Sequence, residues 1–94
     1  MENTIVERLL GLGIGHSFIT QEQMNGVLEI MGVSRNSTEK ELRNARSTIV
    51  LSVSPYSNKY LEGGDYRNWE KYSATLSGAT AAIDNVLWNK GYEV

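Results

Sequence analysis

From Asp65 to Gly91 the chain repeats one spacing. Trp69, Tyr72, Leu76, Ala79, Ile83, Val86 and Lys90 follow one another at steps of three and four in strict alternation. At 3.6 residues per turn those positions line one side of an α-helix. A strand would throw them to opposite faces. Asp65 is placed to cap the start and Gly91 to close the end. A helix of this length carries an apolar stripe that the rest of the chain has to cover.

The remaining segments are read the same way. Thr4 to Glu7 forms a capping box, in which the threonine hydroxyl serves an orphan amide and the glutamate reaches back. Ile5, Val6, Leu9 and Leu10 then share one side of a short helix, with Gly11 as its left-handed stop. Thr20 to Gln23 is a second box, with Ile19 placed to staple onto Met24. Met24, Val27, Leu28 and Met31 make the stripe, and Gly32 ends it. Gly26 inside this helix costs it roughly 1 kcal/mol against alanine and lets another backbone come close. Thr38 to Glu41 is a third box, opening a helix with Leu42, Ala45, Ile49, Val53, Tyr56 and Tyr60 on one face. That face runs straight through Pro55, the one proline. Proline removes a backbone donor and crowds the preceding turn, so the spacing predicts a kink or break near residues 52–54. Gly63-Gly64 ends the element. The expected fold is all-α, a small bundle of four helices with the third kinked or broken at Pro55, in a single domain spanning 1–94.

Composition narrows function more than it identifies it. Eleven acidic and nine basic residues leave a formal charge of −2, too balanced for a general nucleic-acid binder. There is no cysteine, hence no thiol chemistry or zinc knuckle, and His16 stands alone. No metal, cofactor or catalytic residue is expected. The apolar runs are too short to span a membrane. The opening MENTIVERLL carries two glutamates and no basic leader, so the expected location is cytoplasmic, not secreted.

Gly11, Gly13 and Gly15 alternate in GLGIGHS, residues 11–17. Phosphate loops are fed by a strand and open a helix whose free amides face the anion. Here a helix enters the loop, and no G-K-[ST] follows. Leu12 and Ile14 look instead like plugs that tie a connector to the core. Catalysis lacks parts as well. Glu39 and Glu41 point in different directions on their helix, and Glu39 is better placed to pair with Arg43.

Three constellations carry the functional expectations. Arg35, Lys40, Arg43 and Arg46 gather basic charge after a GVS turn, an order similar to a helix-turn-helix. In that alternative, residues 35–47 would bind DNA through Arg35, Lys40, Arg43, Asn44 and Ser47. Thr38 falls where the motif wants an apolar side chain, and Glu39 and Glu41 would face phosphates. The second constellation is a run of small residues on the last helix, Ala74, Gly78 and Ala82, with Ala81 alongside. Such a face lets two backbones approach, either within the chain or between copies. The third is aromatic: seven of the eight aromatic residues lie between Tyr56 and Tyr92. Tyr56, Tyr60, Trp69 and Tyr72 fall on the buried stripes. Tyr66, Trp88 and Tyr92 do not, and exposed aromatics are what binding surfaces contain. The leading expectation is a non-enzymatic interaction module that self-associates through Ala74, Gly78, Ala81, Ala82, Trp88 and Tyr92.

The stretch ITQEQMNGVLEIMGVSRNSTEKELRNARSTI, residues 19–49, resembles the opening of small helical head–tail connector proteins of tailed bacteriophages. These begin with a Thr-capped acidic helix, a polar turn, and a helix rich in leucine and alanine. The resemblance covers about a third of the chain. It implies a ring-forming structural adaptor in phage assembly, without catalysis. Small phage proteins that block a host factor have similar compositions, and that role stays open beside it.

Overall fold

Thr20 and Thr38 fix two of the helix starts. In each, the threonine hydroxyl accepts from the backbone amide three residues on, at 3.1 Å from Gln23 and 3.2 Å from Glu41. The side chains of Gln23 and Glu41 return the bond to the cap's own amide, at 3.0 and 2.9 Å. Asp65 caps more simply, accepting from the Asn68 amide. The computed structural model describes residues 4–16 and 18–94. Met1 to Asn3, and Ser17 at the end of the glycine loop, lie outside the described residues. Among the described residues the elements are α1 (Thr4–Leu10), α2 (Gln21–Met31), α3 (Glu39–Glu62) and α4 (Tyr66–Asn89).

The stops are glycines, as the sequence predicts for three of the four helices. Gly32, Gly64 and Gly91 take positive φ after α2, α3 and α4. Each is followed by an amide that reaches back five residues: Val33 to Leu28, Asp65 to Tyr60, and Tyr92 to Leu87. These bonds satisfy carbonyls that the helix leaves open. The end of α1 differs from expectation, because the left-handed residue there is Gly13 and not Gly11. Thr4 is itself the first residue of α1.

Of the kink or break expected at Pro55, the break does not occur. α3 is one helix of 24 residues that carries Pro55 in its interior. The reason lies in where the proline points. Pro55 and Leu51 are both exposed, and it is the Leu51 carbonyl that loses its partner. A carbonyl freed on the wet side is taken up by water, so the helix continues.

α3 and α4 form a long antiparallel hairpin, and α1 and α2 cover one side of it. The register is set by Arg46 against Asp84 near one end and by Tyr56 and Tyr60 against Tyr72 near the other. Along the hairpin Leu42, Ile49 and Val53 of α3 share one core cluster with Ala79, Ile83 and Leu87 of α4, all without exposure. Fully burying a leucine, isoleucine or valine stabilises by about 1.5–3 kcal/mol relative to leaving it exposed. Buried Ser57 and Thr75 lie at matching depths on the two helices, and the Thr75 hydroxyl donates to the Lys71 carbonyl at 2.9 Å. α2 packs on α4 and on α1, and α1 touches the other three helices. Val6 and Leu9 of α1 and Val27 and Leu28 of α2 complete the core. The predicted aromatic core is only half realised. Tyr56, Tyr60, Trp69 and Tyr72 are each partly exposed, with Tyr56 and Tyr72 packed on the edge of the core. No helix among the described residues is long and apolar enough to cross a membrane.

Candidate functional site

The glycine loop straps α2 to α4. Its Ile14 is buried, and its side chain occupies the space where a Cβ on Gly78 would stand. Leu12 does the same at Gly26, where an added Cβ would come 2.6 Å from Leu12 Cδ2. Gln23 holds the strap from α2, donating from Nε2 to the carbonyls of Leu12 at 3.0 Å and Gly13 at 3.3 Å. Gly26 thus admits a side chain, where the sequence predicted a backbone. The two mid-helix glycines are sockets, and their cost to the helices is offset by the side chains they receive.

This arrangement gives part of the small-residue face an internal role. Ala74 and Ala82 are buried, and Gly78 is filled by Ile14 of the same chain. Those three residues serve internal packing, and Ala74 and Gly78 also line a hollow at the surface. Ala81 is exposed. It lies one step round the helix, on a strip that also carries Glu70, Ser77, Asn85 and Trp88 at spacings of three, four and seven.

Two large apolar side chains flank that strip. Trp88 is 68% exposed and Phe18 is 74% exposed. Phe18 rises from the strap beside α4, where it forms a hollow of about 140 Å³ with Gly15, His16, Ala74, Ser77 and Ala81. A wider depression continues from Ala74 past Arg67, Glu70 and Lys71. His16 lies 4.0 Å from Glu70, both on the surface. At the other end of the strip Trp88 borders a shallow depression with Gly91, Tyr92 and Glu93. Tyr92 is half-buried against the core and supports that rim. Sequence reasoning singled out Trp88 and Tyr92 but missed Phe18. Its only signal was an aromatic in a connector with no stripe to join.

The basic cluster is mostly committed to its own chain. Arg35 donates to Asn25 Oδ1 at 2.9 Å. Arg43 donates to Glu39 at 2.8 Å, as expected, and its other arm donates to the Glu93 carbonyl at 2.7 Å. Arg46 grips Asp84 with two bonds, at 2.7 and 3.3 Å, and this carboxylate holds the guanidinium even more firmly protonated than usual. Lys40, Asn44 and Ser47 stay exposed. α2 also packs on α1 and α4 far more than on α3, whereas a helix-turn-helix seats its first helix against its second. Among the titratable groups, Glu41 lies below the ordinary carboxyl range because the Thr38 amide and hydroxyl bond its charged form. Burial beside Tyr60 and Tyr56 raises Tyr72.

The class these features define is a small all-α four-helix bundle, tied together by a glycine-socketed strap and carrying exposed aromatics on one long helix. No protein-family model, no curated protein and no solved structure matches the chain.

Proposed function

We propose that the protein is a non-enzymatic interaction module whose docking face is the outer strip of α4, from Phe18 and Ser77 through Ala81 to Trp88. The observation that carries this is the joint exposure of Phe18 and Trp88 on either side of a flat stretch of small side chains. Exposed aromatic anchors beside a shallow apolar floor are what a protein partner's side chains fill, and such anchors dominate binding energy. In a phage setting, the role would be that of an assembly adaptor or of an inhibitor that occupies a host factor. The DNA-binding alternative stands second, because both arginines of its contact set, Arg35 and Arg43, already have partners within the chain.

Site-specific photo-crosslinking in the expressing cell tests the reading. A photoreactive residue at position 88 or 18 is expected to trap a protein. The same probe at Leu51 is the control, since Leu51 is 76% exposed but faces away on α3. Equal adducts from all three positions, or none from 88 and 18, would overturn it.

A further inference from the structure

α1 cannot stand by itself. It has seven residues, and isolated helices shorter than about 12–15 residues are marginal in water. Val6 and Leu9 seat it, at 2% and 0% exposure. The strap that follows begins by continuing α1. The Gly11, Leu12 and Gly13 amides donate back to the carbonyls of Glu7, Leu9 and Leu10, at 3.0, 3.1 and 3.1 Å. Leu12 and Ile14 then reach across to Gly26 and Gly78. Residues 4–14 are one hydrogen-bonded piece, pegged onto a body made by the other three helices.

That body holds itself. α3 and α4 have 24 residues each and share the fully buried Leu42, Ile49, Val53, Ala79, Ile83 and Leu87. Arg46 with Asp84 and the tyrosine stack tie the same two helices on the outside. α2 packs on α4 directly. Gln23 gives one end of its amide to the strap and the other to Thr20, so the cap of α2 does not need the strap. Parts of a fold open separately where the buried contacts joining them are few. Gly13, at φ 67°, and Gly15, with open space where a Cβ would stand, place free joints on either side of Ile14.

We infer that residues 4–14 are a latched arm. α1 and the first part of the strap detach together and reversibly from an α2–α3–α4 body that stays folded, and Ile14 in the Gly78 socket is the latch. Release uncovers Gly26 and Gly78 on two helices at once, with the seat of Val6 and Leu9 between them. It also loosens the strap's side of the hollow beside Ala74, because Gly15 and His16 follow directly on Ile14. The arm is a cover that the chain carries for its own apolar floor.

Native-state hydrogen exchange by NMR, in urea below the unfolding transition, reads the two units separately. The Gly11, Leu12 and Gly13 amides are expected to exchange through one shared opening. Its urea dependence should be above zero but smaller than that of global unfolding, which the Ile49 and Ile83 amides report. Ile14→Ala should speed exchange at 11–13 about a hundredfold, as removal of a buried isoleucine side chain does. Ile14→Val should speed it about fivefold, and decides the matter if the larger truncation does not fold. Asp84→Ala loosens only the body. It should speed Ile49 and Ile83 about fivefold and leave 11–13 unchanged. Equal acceleration of all these amides by Asp84→Ala would make the chain a single unit and overturn the inference. So would exchange at 11–13 that ignores both urea and Ile14, which is fraying alone, or Val27 and Leu28 amides that open in step with the arm.

Discussion

Gly78→Ala offers the sharpest test of how the bundle is held together. In an exposed helix the change would stabilise by about 1 kcal/mol, because alanine loses less backbone freedom than glycine. Here the new methyl group lands on Ile14 Cγ2. Isoleucine is branched at Cβ and has one comfortable χ1, so it cannot swing that methyl aside. Either the site is overpacked, at about 1–3 kcal/mol, or Ile14 withdraws and forfeits about 1.5–3 kcal/mol of burial. The net expectation is a loss of about 1 kcal/mol. Ile14→Ala alone should cost about 3 kcal/mol, the usual range for removing a buried isoleucine side chain. With Ile14 trimmed, however, the methyl at position 78 has room, and the helix gain returns. Gly78→Ala should therefore stabilise the Ile14→Ala background while destabilising wild type, a coupling of about 2 kcal/mol. Urea titration with unchanged slope reads all four proteins, and each kcal/mol moves the melting midpoint by about 4–8 °C in a chain this size. Simple additivity, with Gly78→Ala favourable in both backgrounds, would refute the socket.

Other perturbations probe single features. Gly26→Ala should be close to neutral, because the methyl of Leu12 it meets is the far end of a flexible side chain and can rotate away; a loss as large as that of Gly78→Ala would contradict this. Asp84→Ala should lower stability by about 1 kcal/mol through Arg46, a pair too exposed to be worth more, with a smaller loss at high salt. Thr38→Ala should cost about 1 kcal/mol in urea by removing the cap of α3. Glu41 supplies a pH test of the same box. Its folded-state pKa is lowered from the ordinary 4.5, so its contribution is complete above that value and is lost as pH falls through the lowered one. Following the Thr38 amide by NMR should give a midpoint below 4.5 in wild type, and in Thr38→Ala the Glu41 midpoint should rise toward 4.5.

What could be read in advance depended on how local each cause was. The caps at Thr20, Thr38 and Asp65 were legible because donor and acceptor lie three residues apart and nothing distant competes. The stripes of α2 and α3 were legible for the same reason, since periodicity is a property of the segment. Whether Pro55 would break its helix or be carried inside it could not be read, because a proline's cost depends on which side of the helix loses the bond, and that side is set by packing. The roles of Leu12 and Ile14 as plugs could be seen, but not that their sockets were Gly26 and Gly78. That pairing joins residues up to sixty-four positions apart. The small residues of α4 therefore looked like a surface seam when Ala74, Gly78 and Ala82 were inward. Phe18 gave only the sign of an aromatic with no stripe to join, because exposure in a connector is decided by its neighbours.

The strap has a consequence for how the chain tolerates change in length. Leu12 and Ile14 are two residues apart and so lie at most about 7 Å from each other along the backbone. They act as a ruler laid between α2 and α4. One extra residue between them would lift one peg from its socket, and the Gln23 bonds to the Leu12 and Gly13 carbonyls would have to carry the strap in its place.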